Sequence, residues 1–139
     1  MSRFVIDASA VLSWCFPDED EALAQHIAIR FQRGDTAVAP SFWPHEVLNA
    51  LLMGEKRQRI SKDLTQAFLL DLAQLPVRLE LSLAGITFER IQRLSRAHGL
   101  TAYDAAYLDL ALDRNLPLAT LDEDLIRACG DAGVGLVQP

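Results

Sequence analysis

The 139-residue sequence is short of cysteine, of positive charge and of long apolar runs. Two cysteines, Cys15 and Cys129, are too few for a disulfide framework and too far apart for a CxxC pair, so both are expected to be reduced packing residues. No apolar run approaches the roughly 20 residues needed to cross a bilayer. The opening MSRFVIDAS lacks the apolar core of a secretory signal. A cytoplasmic protein without membrane contact is the expectation. Thirteen lysines and arginines stand against nineteen acids, for a net charge of −6. That balance argues against gripping nucleic acid by broad phosphate neutralisation. The objection weakens if the acids cluster in one pocket around cations, because the surface a polyanion meets is then less negative than the formula. Histidine and thiolate clusters are also missing, since His26, His45 and His98 lie far apart and suit surface or packing work.

Half of the residues are hydrophobic, enough for one compact domain over residues 1–139 that needs no staples. RFVID (3–7), DTAVAP (35–40) and LPLATLD (116–122) read as buried strands. VRLEL (77–81) and GLVQ (135–138) are further strands, which makes four or five in all. Helical patterns cover 18–33, 41–58, 62–75, 84–98, 101–114 and 123–132. Alternating strands and helices predict an α/β domain whose mainly parallel sheet is covered on both faces, a three-layer α/β/α arrangement. Several helix starts are marked. Ser41 is placed to cap the helix containing PHEVLNALL, with Pro44 in its first turn. Thr101 with Asp104 fits a capping box, and Asp122 is a natural N-cap for EDLIRAC.

In LTAYDAAYLDLAL (100–112), Asp104 shares a helical face with Tyr107, Leu108 and Ala111, whereas Asp109 and Asp113 point to another side. An inward carboxylate must be neutralised, hydrogen-bonded or bound to a cation. Three other segments each offer one comparable acid. Asp7 ends the first strand, Asp122 follows a late strand, and Glu46 lies near a helix start. Ligands of open parallel sheets collect beyond the carboxyl ends of the strands. Four acids meeting there would repel one another unless cations discharged them. Hard oxygen donors point to Mg²⁺ or Mn²⁺. Each acid also has an ordinary role as cap, strand-end acid or first-turn acid favoured by the helix dipole. The two roles are compatible, because a helix N-terminus keeps a carboxylate in the ionised state that a metal ligand needs. Asn49, one turn after Glu46, is placed to orient it, and Ser9 and Thr120 to hold a site carboxylate or a water, with capping or turn chemistry as the alternative for all three. HEVLN (45–49) is not a zinc-protease motif, because position 49 is Asn where the second ligand would stand.

Four stretches in this order, VIDASAVLSWCFPDE, PSFWPHEVLNAL, HGLTAYDAAYLDLA and LPLATLDEDLIRA, resemble the PIN-domain ribonucleases, specifically the VapC-type toxins of bacterial toxin-antitoxin pairs. The resemblance covers nearly the whole chain. Its pattern of metal-site acids falls on Asp7, Glu46, Asp104 and Asp122 with no departure. It implies a PIN-like fold and Mg²⁺- or Mn²⁺-dependent hydrolysis of RNA phosphodiester bonds, with a tRNA or rRNA loop as target. It further implies a homodimer restrained by a cognate antitoxin. Asp7 and Asp104 are expected as direct ligands, with Asp122 completing the site and Glu46 binding metal or handling water.

Lys56, Arg57, Arg59 and Lys62 cluster in GEKRQRISK (54–62). They suit contact with RNA or the antitoxin, or else form a solvated helix end whose cations complement the dipole. Phe42 and Trp43 near Glu46 are placed to stack a base or to pack inside, and Trp14 is equally open. A haloacid-dehalogenase-type phosphatase would need an Asp where Ser9 stands, and a receiver domain would need paired acids early and a late site lysine. A non-catalytic module that docks a partner through the acidic pocket is the remaining alternative.

Overall fold

The computed structural model describes residues 1–16, 19 and 21–139. Four strands, β1 (Arg3–Ile6), β2 (Thr36–Pro40), β3 (Val77–Glu80) and β4 (Leu118–Ala119), form one parallel sheet in the order β3-β2-β1-β4. Phe4, Val5 and Ile6 are consecutive and all fully buried, as are Ala37 and Ala39, with Val38 nearly so. Side chains alternate between the faces of a strand, so both faces of the sheet must be covered. The expected three layers follow. The helices are α1 (Ser9–Leu12), α2 (Ala22–Gln32), α3 (Trp43–Lys56), α4 (Lys62–Leu72), α5 (Ala84–Ile86), α6 (Gln92–His98), α7 (Ala102–Arg114) and α8 (Glu123–Ala132). Phe31 of α2 stacks on Phe4 at 5.6 Å, and α7 lies against β1 and β2. One apolar cluster runs from Phe4 to Val137. Among the described residues no helix is long and apolar enough to cross a membrane.

The strand order positions the site. From β1 the chain steps to β2 and β3 on one side, then returns with β4 on the other side of β1. The order therefore reverses at β1, and a crevice is expected beyond the carboxyl ends of β1 and β4. Asp7 is the residue after β1, and its amide donates to the Ala119 carbonyl at 3.1 Å. Thr120 and Asp122 follow β4 directly.

Several sequence expectations need correction. The fifth strand at 135–138 reduces to one parallel bridge between Leu118 and Leu136. Ser41 does not cap α3. Its amide donates to the Glu80 carbonyl at 3.0 Å, which extends the β2–β3 ladder, and Phe42 stands at the N-cap without a side-chain bond. The expected helix over 84–98 is α5 and α6 joined by a π-helical turn at Thr87–Ile91. One extra residue per turn lets Ile91 reach the core while Arg90 pairs with Asp109 at 2.7 Å. Such an insertion barely disturbs the apolar period, so the sequence reads as one helix. The helix expected from residue 18 begins at Ala22, and its predicted start lies outside the described residues. Short α1 had no periodic signal, and α4 is capped by Ser61, whose side chain accepts from Leu64 N at 3.2 Å.

Gly54 shows how tightly the back of α3 is filled. A Cβ there would lie 2.6 Å from Cε1 of Phe16, a ring buried between α3 and the Arg59 guanidinium, whose carbon sits 4.2 Å from the ring centroid. Gly54→Ala is expected to cost about 1–3 kcal/mol by overpacking, despite the better helix propensity of alanine. Urea unfolding with an unchanged slope checks it, and a stability equal to wild type would refute it.

Candidate active site

Asp7 is the most deeply placed of the four acids, at 4% exposure. Its Oδ1 accepts from Ser9 Oγ at 2.7 Å and from the Ala10 amide at 3.0 Å, and its Oδ2 accepts from the Thr120 hydroxyl. Burial pushes its carboxyl up to about 7, these three donors pull the other way, and the charge of Asp122 adds to the rise. The same hydroxyls tie two loops together. Ser9 Oγ accepts from the Leu121 amide at 2.8 Å, and Thr120 Oγ1 from the Asp122 amide at 3.0 Å. Ser9 and Thr120 thus replace the water that Asp7 gives up, and they lock the end of β1 to the end of β4.

Asp104 stands in the first turn of α7, where its amide donates to Thr101 Oγ1 at 3.1 Å. Only this half of the expected capping box forms, and the carboxylate is left to the crevice. Burial comes first in pushing it up to about 6, followed by the charges of Asp122 and Glu46, while the Thr101 hydroxyl opposes them. Asp122 caps α8, its side chain accepting from the Leu125 amide at 3.0 Å. Glu46 lies in the first turn of α3, and its Oε1 accepts from the Tyr107 hydroxyl at 2.6 Å. Three helix N-termini, of α3, α7 and α8, therefore bring Glu46, Asp104 and Asp122 to the end of the sheet where Asp7 sits.

Asn49, expected to orient Glu46, is exposed and makes no such bond. Tyr107 does so instead, from across the interface between α3 and α7. Tyr107 shows in the sequence only as an apolar neighbour on the Asp104 face, yet a tyrosine buried to 1% has a hydroxyl that needs a partner. Trp43 is buried, whereas Phe42 is half-buried and meets Tyr107 and Tyr103 edge to face at 5.5 and 5.1 Å. Lys56, Arg57, Arg59 and Lys62 are exposed. Lys56 closes α3, ten residues past Glu46 and so about 15 Å along the axis. Arg59 pairs with Glu19 at 3.3 Å. Cys15 and Cys129 are free and buried, their thiols pushed up to about 12 and about 11.

The donor set is all oxygen, which fits a hard divalent cation. The like-charge contribution at Asp7 and Asp104 is the strain that such a cation would discharge. Among the described residues no three of these side chains converge closely enough to hold an ion as they stand. A cavity of about 410 Å³ farther along α7, at Arg90, Asp109 and Asp113, contains none of the four acids. Its Arg90, Asp109 and Asp113 are paired with one another, and its Arg93 with Glu89.

A parallel sheet whose order reverses at β1, with acids from four segments at that reversal, defines the class. The chain belongs to the PIN domain family, which matches residues 4–131. It is similar to Ribonuclease VapC3 of Pyrobaculum aerophilum, with 28% identity over 123 residues that cover 88% of this chain and 92% of that protein. The fold is also that of VapC20 of Mycobacterium tuberculosis, a sarcin-ricin loop cleaving toxin. The TM-score is 0.70 at 14% identity, over 98% of this chain and 99% of that one. A toxin-antitoxin complex from Klebsiella pneumoniae shares the fold at a TM-score of 0.54 and 14% identity, over 87% and 88%.

Two outcomes are expected without divalent cations. A carboxyl raised by folding gives stability that is full below its unfolded value near 3.9 and is lost as pH rises through its folded value. With Asp7 at about 7 and Asp104 at about 6, the melting temperature should fall from pH 5 to pH 8. Asp7→Asn should flatten that fall, and an identical slope in the variant would refute the assignment. Tyr107→Phe keeps the ring and removes the donor to Glu46, at an expected cost of about 1–3 kcal/mol in urea unfolding. A change below the error of the measurement would count against that bond.

Proposed function

We propose that the protein is a divalent-metal-dependent endoribonuclease and the toxin of a toxin-antitoxin pair. The observation that carries this reading is the set of four acids from four segments at the strand-order reversal, two of them raised partly by their neighbours' charge. Membership of the PIN domain family and similarity to Ribonuclease VapC3 support it. Asp7, Asp104, Asp122 and Glu46 would hold Mg²⁺ or Mn²⁺, which when bound supplies the Lewis acidity that polarises a phosphate and acidifies water. Ser9 and Thr120 fix the Asp7 carboxylate by hydrogen bonds, and Tyr107 fixes Glu46. The first turns of α3 and α7 and the N-cap of α8 present Glu46, Asp104 and Asp122 to the crevice. An RNA of the tRNA or rRNA class is the proposed substrate. VapC20 sets a precedent for a structured loop, and the Klebsiella complex supports a cognate antitoxin as partner. A cytoplasmic homodimer completes the proposal on the strength of the family resemblance.

The test compares wild type with Asp7→Asn and Asp104→Asn on total cellular RNA with Mg²⁺, with Mn²⁺ and with chelator. Each substitution is expected to lower the cleavage rate at least about a hundredfold, as loss of a key electrostatic group does. Mg²⁺ should raise the wild-type melting temperature and raise that of the variants less. Cleavage that persists in both variants or in chelator would sink the proposal. So would a metal-loaded wild type that cuts nothing.

A further inference from the structure

Tyr103 presents a large aromatic ring to solvent, 59% exposed, one residue before Asp104 in the first turn of α7. Single exposed aromatics are ordinary, but this one is held in place. Its ring meets Phe42 edge to face, Phe42 meets Tyr107 in the same way, and the Tyr107 hydroxyl binds Glu46. Three rings thus run from a candidate catalytic acid out to solvent, and the outermost belongs to the residue directly before Asp104. Tyr103 and Phe42 also wall a cavity of about 260 Å³ whose lining includes Ser41, Ser82 and Glu80. Glu80 pairs with Arg114 at 3.1 Å and is mostly buried.

The lining selects the uncharged part of a nucleotide. Glu80 offers no free charge, because Arg114 and Arg78 flank its two oxygens at 3.1 and 3.5 Å, so the lining holds no cation for phosphate, and the serine hydroxyls can donate to or accept from the edge of a base. An aromatic face stacks any base without needing positive charge. That suits a chain with a net charge of −6 in which Lys56 closes α3 ten residues past Glu46, Arg57 follows it and Lys62 opens α4. We propose that Tyr103 is the stacking platform for the base next to the scissile phosphate, with the Phe42–Ser41–Ser82 cavity receiving its edge. This makes Tyr103 a substrate-positioning residue. The inference rests on the ribonuclease reading of the neighbouring acids and names how that site takes hold of its substrate.

The experiment measures binding of a short fluorescein-labelled single-stranded RNA of mixed sequence by anisotropy in EDTA, at low and high salt. It uses wild type, Tyr103→Ala, Tyr103→Leu and Tyr103→Trp. Loss of one stacked base is expected to weaken binding about tenfold in the Ala and Leu variants. The Trp variant should keep the affinity, and the ratio should not change with salt, because stacking carries no counterion dependence. In cleavage with Mg²⁺, KM should rise with little change in kcat. Wild-type affinity in the Ala or Leu variant, a loss that fades with salt, or a wild type that binds no RNA would overturn the proposal. Unchanged RNA binding with altered self-association would assign the ring to a protein contact and overturn it too. The two readings can fail separately. A wild type that cleaves alongside equally active variants removes the stacking role alone, and a wild type that stacks RNA but cuts none removes the nuclease alone.

Discussion

When β1 and β4 close side by side, the Asp7 carboxylate loses its water, and the surrounding groups are arranged to replace it. Two hydroxyls and one amide do so, and two of these donors come from residues that also fasten the loops after the two strands. The replacement is incomplete, since the carboxyl is still pushed up to about 7. Asp104 is less enclosed and accepts fewer hydrogen bonds, and the charges of Asp122, Glu46 and Asp124 weigh on it after burial. The crevice is therefore short of positive charge from within. A cation placed among these acids relieves both groups at once.

The sheet and the helices contribute different things to that crevice. The sheet fixes where it lies, because the strand order reverses at β1, with β2 and β3 on one side and β4 on the other. The helices fix which atoms face it, because their first turns carry Glu46, Asp104 and the Asp122 cap. Capping residues and candidate site residues coincide here. Asp122 spends one oxygen on the Leu125 amide, and Thr101 spends its hydroxyl on the Asp104 amide, which leaves the Asp104 carboxylate outside the capping box.

The fold was legible in the sequence where local pattern and tertiary need agree. Phe4–Ile6 and Ala37–Ala39 read as strands because both faces are buried, and α7 and α8 began where Thr101 and Asp122 said they would. It was illegible where long-range pairing decided the outcome. Ser41 has the chemistry of a cap, but its amide belongs to a ladder with Glu80, a residue 39 positions away. The π-helical turn leaves the apolar period of 84–98 nearly intact, so one helix was expected in place of three pieces. At the site, the four acids stood out as carboxylates on otherwise apolar stretches. Tyr107 did not stand out, because its ring fits the core and only its hydroxyl serves Glu46, from 61 residues away. Asn49 looked better placed by helical spacing, yet it faces solvent.

The bond between Thr120 and Asp7 joins residues 113 positions apart in the chain. A ribosome adding about 5–20 residues per second needs at least several seconds after making Asp7 before Thr120 exists to meet it. Until then β1 has no neighbour on its β4 side, and Asp7 keeps its water. Contacts of such long range also slow the search for the native topology once the chain is released. The crevice is thus among the last features of the molecule to form. Throughout that interval the nascent chain carries Asp7 without the hydroxyl that closes over it.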